Sequence, residues 1–328
     1  MSAEYTDGLV RCSTCYIPES WLALPLVSKR EYNHDSTIYA FGLPDGQSLC
    51  LPVCACILLK APGKGRKDGG GPDDFDGSDA VRPYTPISDN SMLGKFELVV
   101  KRYDGGAVSQ YLHTLDVGAN VEFKHIKFNI KAQYPFEGKT SFTLLCGGTG
   151  ISPMYQALWK LLGTHGDERK VTLVYSNKTP ADILLREELD AYAAKFPERF
   201  KLVYVVGDSA DAPAPAGWES TPEGKYVCDT GWIDEPKVCG QPGLTPCTRS
   251  SHYVCAFCSQ YSPLSLCVCV SVVQVAKYAF PPSADTLLFV CGVPPFYGLM
   301  CGPRNEKELK EGSLLHKLGY TAEMVAKM

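Results

Sequence analysis

Nine residues, CGGTGISPM (146–154), place three glycines between the apolar run SFTLL and the amphipathic stretch YQALWKLLG. That order predicts a β-strand handing over to a helix. Glycines at such a turn let a diphosphate approach bare backbone N–H groups at a helix N-terminus, where the helix dipole favours negative charge. Gly147, Gly148, Thr149, Gly150 and Ser152 are therefore candidate nucleotide-binding residues. An ordinary tight strand-to-helix turn would use the same residues, so the stretch alone leaves both readings open.

A second group of side chains sits in RPYTPIS (82–88). Arg82 offers a fixed fork for a phosphate, Tyr84 a flat ring with a hydroxyl, and Thr85 and Ser88 small hydroxyls, while Pro83 and Pro86 keep the chain extended. Those groups suit a flavin held by its phosphates and its ring. The other reading is a proline-braced edge strand. Next, VVKRY (99–103) leads into GGAVSQYL (105–112), a glycine turn that opens a short helix with Ser109 in its first turn. A helix N-terminus there is a second anion site, suited to a pyrophosphate. Late in the chain, CGVPP (291–295) sets the Cys291 thiol at a strand end with a rigid turn behind it.

The elements that carry these residues fall into two rhythms. TIYAFGLP, LCLPVCACILLKA, GKFELVVKRY and ANVEFKHIKF are short, rich in β-branched and aromatic residues, and separated by Gly, Pro and Asp turns. Strands at that spacing predict an antiparallel barrel or sandwich. The stretch at 62–79, PGKGRKDGGGPDDFDGSD, reads as a solvated loop, and its GKG lacks the P-loop spacing. From Thr140 strands and helices alternate: SFTLLC, SPMYQALWKLLG, KVTLVYS, ADILLREELDAYAAKF, FKLVYVV and later DTLLFVCG. This is the β-α-β pattern of a doubly wound parallel sheet, whose ligands bind beyond the carboxyl ends of the strands. CGGTG, YSNKT, VVGDS and VCGVPP all fall at such ends.

Composition bounds the reading. The chain has 328 residues, 45% hydrophobic and 21% charged, enough for two domains of ordinary size. A net charge of −4 and no basic stripe argue against a nucleic-acid partner. Six scattered histidines suggest no metal centre. No apolar run is long enough to span a bilayer and the first residues are no signal peptide, so the expected location is the cytoplasm, with membrane association only through an anchor outside this sequence. Fifteen cysteines include two CxxC pairs, Cys12 with Cys15 and Cys255 with Cys258. Reduced, mostly buried thiols are expected, with a zinc site as the other reading.

Taken in order, RPYTPIS, VVKRY, GGAVSQYL, GGTGISPM, YSNKTPADILLREEL and VCGVPP resemble the NADH-cytochrome b5 reductase family, within the wider ferredoxin-reductase-like flavoproteins. The likeness covers residues 25–238 and 275–320. It implies an N-terminal extension (1–24), an antiparallel β-barrel FAD domain (25–138) and an α/β NADH domain (139–328), with the two cofactors meeting between them. Carried over residue by residue, it makes Arg82, Pro83, Tyr84 and Thr85 flavin contacts, with Ser88 closing the motif. Val99 and Lys101 become flavin-edge contacts, Lys101 also near the nicotinamide, with Tyr103 packed beside them. Val108 and Ser109 cradle the pyrophosphate, Gly147 to Gly150 with Ser152 line the pyridine-nucleotide cleft, and Cys291 and Gly292 border the nicotinamide.

The implied reaction is hydride transfer from NADH to FAD, then single electrons to cytochrome b5 or another haem acceptor, which can itself be membrane-bound. Thr85, Lys101 and Cys291 stand nearest the transfer, which needs orientation rather than a nucleophile, so Cys291 is read as packing against the ring. Asp208, in VVGDS, would bond the adenosine ribose and repel a 2′-phosphate, favouring NADH; its other reading is a solvated loop carboxylate.

Several positions depart from the family pattern. Cys54, Ala55 and Cys56 replace its Gly-Gln-His, Ala107 and Val108 its Lys-Met, and Val293 to Phe296 its proline-rich stretch with a methionine. Residues 238–274 interrupt it altogether and hold six of the fifteen cysteines. Val-Cys-Gly can be encoded as a splice donor, PLSLCVCVSVV as a pyrimidine tract and the final Gln as an acceptor, so translated intron is one reading. A lineage-specific cysteine-rich loop with thiols that suit a metal is the other. Two further functions stay open: the reductase portion of a larger fused enzyme such as a nitrate reductase, and a non-catalytic flavin- or nucleotide-binding module.

Overall fold

A computed structural model describes residues 14–66, 74–127, 132–206, 219–220, 226–230 and 272–328. Two compact units result, one of residues 1–137 with 152–167, the other of 138–151 with 168–328.

The first unit contains six strands: β1 (Leu22–Glu31), β2 (Ser36–Gly42), β3 (Ile57–Ala61), β4 (Ala80–Tyr84), β5 (Lys95–Lys101) and β6 (Asn120–His125). They pair antiparallel in the order β4-β3-β6-β1-β2-β5. Strand β1 serves two partners, β6 through Leu22–Pro25 and β2 through Leu26–Glu31, with a register shift in the latter ladder between Leu26 and Ser28. A bulge of this kind bends the strand. The antiparallel barrel-like sheet thus wraps a core centred on Phe41, Phe96 and Phe123, whose ring centroids lie 4.7–5.5 Å apart. Helix α1 (Ala107–Thr114) packs on this core through Val108 and Leu112. Helix α2 (Ile151–Gly163) is apolar on nearly every face, and its one buried amide, Gln156, is fully used.

The second unit is built on a seven-stranded sheet. Its strands are β7 (Ser141–Gly147), β8 (Lys170–Asn177), β9 (Phe200–Val206), β10 (Glu219–Ser220), β11 (Tyr226–Thr230), β12 (Thr286–Cys291) and β13 (Val325–Lys327), in the order β10-β11-β9-β8-β7-β12-β13. The five strands from β9 to β13 across the sheet are parallel, while β11 and β10 add an antiparallel edge. Near-continuous burial along β7, β8 and β12 is what a parallel sheet covered on both faces requires. Helices α4 (Val272–Tyr278), α5 (Pro294–Met300) and α6 (Leu314–Lys317) cover one face, where Val275, Phe296, Met300 and Leu315 meet Leu145, Val174 and Val290.

Helix α3 spans only Arg186–Lys195, shorter than the sequence pattern predicts. Ile183, Leu184 and Leu185 are all buried, which one helical face cannot achieve for three consecutive residues, and Leu185 is left-handed at φ 58°. A turn at Pro180–Asp182, closed by the Asp182 carboxylate on the Thr179 N–H and hydroxyl, fills the gap. Cys15, Cys54, Cys56, Cys146, Cys291 and Cys301 are free thiols as expected, whereas Cys50 is disulfide-bonded and departs from that expectation. The segment 238–274 lies outside the described residues except for the start of α4, as does the second CxxC pair. Among the described residues no helix is long and apolar enough to cross a membrane.

Candidate functional site

The first unit holds a cleft of about 460 Å³. Arg82, Pro83 and Tyr84 of β4 form one wall, and the turn from Tyr103 through Gly106 into Ala107, Val108 and Ser109 forms another. Strand β4 is the edge of its sheet, so the proline-braced edge strand and the cleft wall are one structure. The turn into α1 is self-braced. Gly106 N–H donates to Tyr103 O at 2.9 Å, and the Ser109 hydroxyl donates to Gly106 O (3.1 Å) while accepting from Tyr103 N–H (3.2 Å). A β-carbon at Gly106 would lie 2.3 Å from Ser109 Oγ, so a side chain there would displace the hydroxyl that braces the turn.

Gly106 is the N-cap of α1 with no side-chain cap, and no acidic residue occupies the first turn. The first N–H groups of a helix have no acceptor within it. They open on a cleft whose cations among the described lining residues are Lys64, Arg66 and Arg82, against the carboxylate of Asp79. A cradle closed by glycine, an uncapped helix terminus and a cationic wall fit an anionic dinucleotide cofactor. Burial pushes the Tyr84 phenol well above its ordinary value, with Arg82 opposing, so it remains a neutral hydrogen-bond donor beside that wall.

The cleft therefore brings together Arg82, Pro83, Tyr84, Tyr103, Val108 and Ser109. It leaves Thr85, Ser88, Val99 and Lys101 out of its lining. Ser88 Oγ accepts Glu97 N–H at 2.9 Å and pins the segment after β4 to β5, while Val99 is buried opposite Ile38 in the β2–β5 ladder. Lys101 pairs with Asp35 at 2.6 Å, its side chain 12% exposed. The Thr85–Pro86 segment is held by Gln156, whose Nε2 donates to Pro86 O (2.8 Å) and whose Oε1 accepts from Cys54 N–H (2.7 Å). The sequence reading missed Lys64, Gly65, Arg66, Ser78 and Asp79, which line the cleft from the two ends of the 62–79 stretch. Its available signal was the KGR triplet followed, within one loop, by a turn back to RPYT.

In the second unit the strand order reverses at β7, with β8 and β9 on one side and β12 on the other. Such a switch point opens a crevice beyond the strand carboxyl ends. Gly147 ends β7, and Gly148–Gly150 form a single 3₁₀ turn leading into α2. Gly148 has φ +53°, and the Tyr175 hydroxyl of β8 donates to its carbonyl at 3.0 Å. Cys291, at the end of β12, pairs in register with Cys146 of β7. A β-carbon on Gly150 would lie 2.3 Å from Cys291 O, and one on Gly292 would lie 2.9 Å from the Phe296 ring. Gly147, Gly148, Thr149, Gly150, Cys291 and Gly292 thus converge at one switch point, while Ser152 is buried at the start of α2. The Cys291 side chain contacts the buried Tyr297 hydroxyl, which burial, chiefly, keeps protonated. Asp208 lies outside the described residues.

Comparison with known proteins gives two domain matches: an oxidoreductase FAD-binding domain over residues 23–130 and an oxidoreductase NAD-binding domain over 144–249. NADH-cytochrome b5 reductase 2 of Saccharomyces cerevisiae is 33% identical over 313 residues, covering 94% of this chain and 83% of that protein. NADH-cytochrome b5 reductase 1 of Candida albicans is 38% identical over 205 residues, 62% of this chain and 63% of that one. Among solved structures, the cytochrome b5 reductase domain of Ulva prolifera nitrate reductase superposes with a TM-score of 0.65 at 26% identity, covering 95% of this chain and 98% of that one.

Proposed function

Because this chain belongs to the NADH-cytochrome b5 reductase family, we propose that it is an FAD-dependent oxidoreductase that oxidises NADH and passes single electrons to cytochrome b5. The observation that carries the reading is the cleft of the first unit, where Arg82, the neutral Tyr84 phenol and the uncapped start of α1 face one space. Held by Arg82 and the start of α1, an FAD would supply the redox chemistry, taking up the hydride of NADH and passing its two electrons on singly.

The chain's own residues bind and orient. Arg82 and the N–H groups of Ala107, Val108 and Ser109 hold the flavin diphosphate, and Tyr84 and Pro83 bound the ring end. At the second unit's switch point, Gly147 to Gly150 offer backbone to the pyridine nucleotide without side chains in the way. Cys291 and Gly292 form the neighbouring edge, with Cys291 packing rather than attacking. Thr85 and Lys101 act from outside the first cleft: the Asp35 pair fixes the Lys101 ammonium, so its part is positional. Asp208 supports a preference for NADH over NADPH through its place after β9.

An acceptor assay tests this. With NADH as donor the purified chain reduces cytochrome b5 and ferricyanide, and NADPH serves poorly. Reduction of ferricyanide but not of cytochrome b5 would remove the haem protein as partner. A second reading, the reductase portion of a larger enzyme, rests on the likeness to the Ulva domain. An immunoblot of the native source decides it, since a band far heavier than 35.8 kDa would support it.

A further inference from the structure

The stretch between β3 and β4 is polar enough to pass for a solvated loop, yet its two ends are zipped together. Gly65 N–H donates to Ser78 O at 2.7 Å, Asp76 N–H donates to Gly65 O at 3.1 Å, and Arg66 forms an antiparallel bridge with Phe75. No side chain fits at position 65, where a β-carbon would lie 1.9 Å from Ser78 Oγ. Phe75 is 38% exposed, and its ring carries the Arg66 guanidinium at 5.5 Å and the Lys64 ammonium at 5.0 Å. Cation–π contact of this kind restrains a long side chain that would otherwise be mobile.

The hairpin base thus delivers Arg66 to the wall of the flavin cleft. Its Nη1 donates to the Gly105 carbonyl, in the turn that opens α1, and its Nε is buried without a hydrogen-bond partner. A buried N–H of a cation left unpaired in a concave site marks a missing acceptor. The first turn of α1 itself, Ala107, Val108 and Ser109, brings no charge. Asp79, the carboxylate among the described lining residues, already accepts from Gly63 N–H at 3.0 Å and lies 3.8 Å from Lys60.

We propose that Arg66 is a second diphosphate-binding cation of the flavin site, acting with Arg82 in the same cleft. The assignment rests on the flavin reading above. A diphosphate that joins two nucleosides carries a negative charge on each phosphorus, and one arginine answers only one of them. Arg66 supplies the other positive charge from a loop, where the helix beside it supplies none.

The test is equilibrium dialysis of FAD, and separately of riboflavin, against the full-length chain freed of flavin and its Arg66→Gln and Arg66→Lys variants. Gln keeps the ability to donate to Gly105 O, and Lys keeps the charge. Loss of a charge-assisted pair predicts that Arg66→Gln weakens FAD binding roughly tenfold or more, with Arg66→Lys in between. Riboflavin, which lacks phosphate, binds the unaltered chain and Arg66→Gln alike. Added salt weakens FAD binding more in the unaltered chain than in Arg66→Gln. Equal FAD affinity in all three proteins overturns the proposal, and so does an equal loss of FAD and riboflavin, which would make Arg66 a brace for the loop. If the unaltered chain takes up no FAD at all, the flavin reading itself falls and takes the Arg66 assignment with it.

Discussion

The carbonyl oxygen of Cys291 lies where a side chain on Gly150 would have to be, 2.3 Å from its β-carbon position. Two loops at the ends of neighbouring parallel strands, β7 and β12, therefore close on each other through a single hydrogen atom. Gly150→Ala forces backbone apart on one side. Overpacking of this kind costs about 1–3 kcal/mol. The expected outcome is a lower melting temperature together with weaker NADH binding. Gly298→Ala is the control: it sits in α5 with nothing within 4 Å of its β-carbon position, so alanine there should stabilise by up to about 1 kcal/mol. Equal behaviour of the two variants in differential scanning fluorimetry would contradict the packing at the switch point.

Gln156 spends both ends of its amide on buried backbone, Cys54 N–H and Pro86 O. Gln156→Leu keeps the volume and strands both groups. At about 1–3 kcal/mol for each unsatisfied buried group, the loss is about 2–6 kcal/mol, read as a shift of the urea midpoint. A shift near zero would mean that these bonds do not hold the Thr85–Pro86 segment.

Arg82 is exposed along β4, and its Nη1 donates to Val81 O at 2.8 Å. The phosphate contact proposed for it is therefore partly solvated. Arg82→Ala should raise the dissociation constant for FAD roughly tenfold, the scale of a charge-assisted bond, rather than abolish binding. Dialysis with FAD measures this, and unchanged affinity would remove Arg82 from the site.

His125 ends β6, buried, with its Nδ1 unpartnered. Burial, helped by Lys127 and opposed by Glu19, holds it below its ordinary 6.5. As pH falls through 6.5 the unfolded chain takes the proton first, so stability that is whole above that value declines below it. His113, lowered by burial and by Arg102 and Lys29, acts in the same direction. His125→Asn should accordingly flatten, without abolishing, the fall in melting temperature between one unit above and one unit below pH 6.5. An unaltered slope would show that His125 titrates normally.

Much of this was legible in the sequence because the relevant signals are local. The glycine turn after SFTLL, the extended RPYT and the glycine opening of α1 each fix backbone within a few residues. What escaped depends on distant pairing. Strand β1, LALPLVSKRE, carries a proline and a largely exposed second half, and declares itself only through β6 and β2. Strand β13 has three residues and is a strand because β12 lies beside it. The Lys101–Asp35 pair joins positions far apart in the chain, so nothing near VVKRY announces that its lysine is engaged. Cys54 reads as a departure from the family's glycine. Its φ of 62° explains why glycine suits the position, and the Gln156 bond to its N–H, with its own thiol on Pro153 O, holds the cysteine there. Composition marks the 62–79 stretch as a solvated loop, and its described residues 74–79 are exposed, but the pairing of its ends through Gly65, Ser78 and Phe75 is a long-range contact that composition does not report.

Transcript reads across Lys237 and Val275 decide the status of residues 238–274. Mature messages lacking the segment are the expected result under the intron reading. Messages that retain it would leave the cysteine-rich loop.

The central claim, a flavin in the first unit reduced by a pyridine nucleotide bound to the second, is tested most directly by one anaerobic spectrum. The purified full-length chain, supplied with FAD and gel-filtered, should keep a yellow chromophore near one per chain, and added NADH should bleach it. A chain that emerges colourless, or that holds flavin which NADH leaves oxidised, would contradict the account.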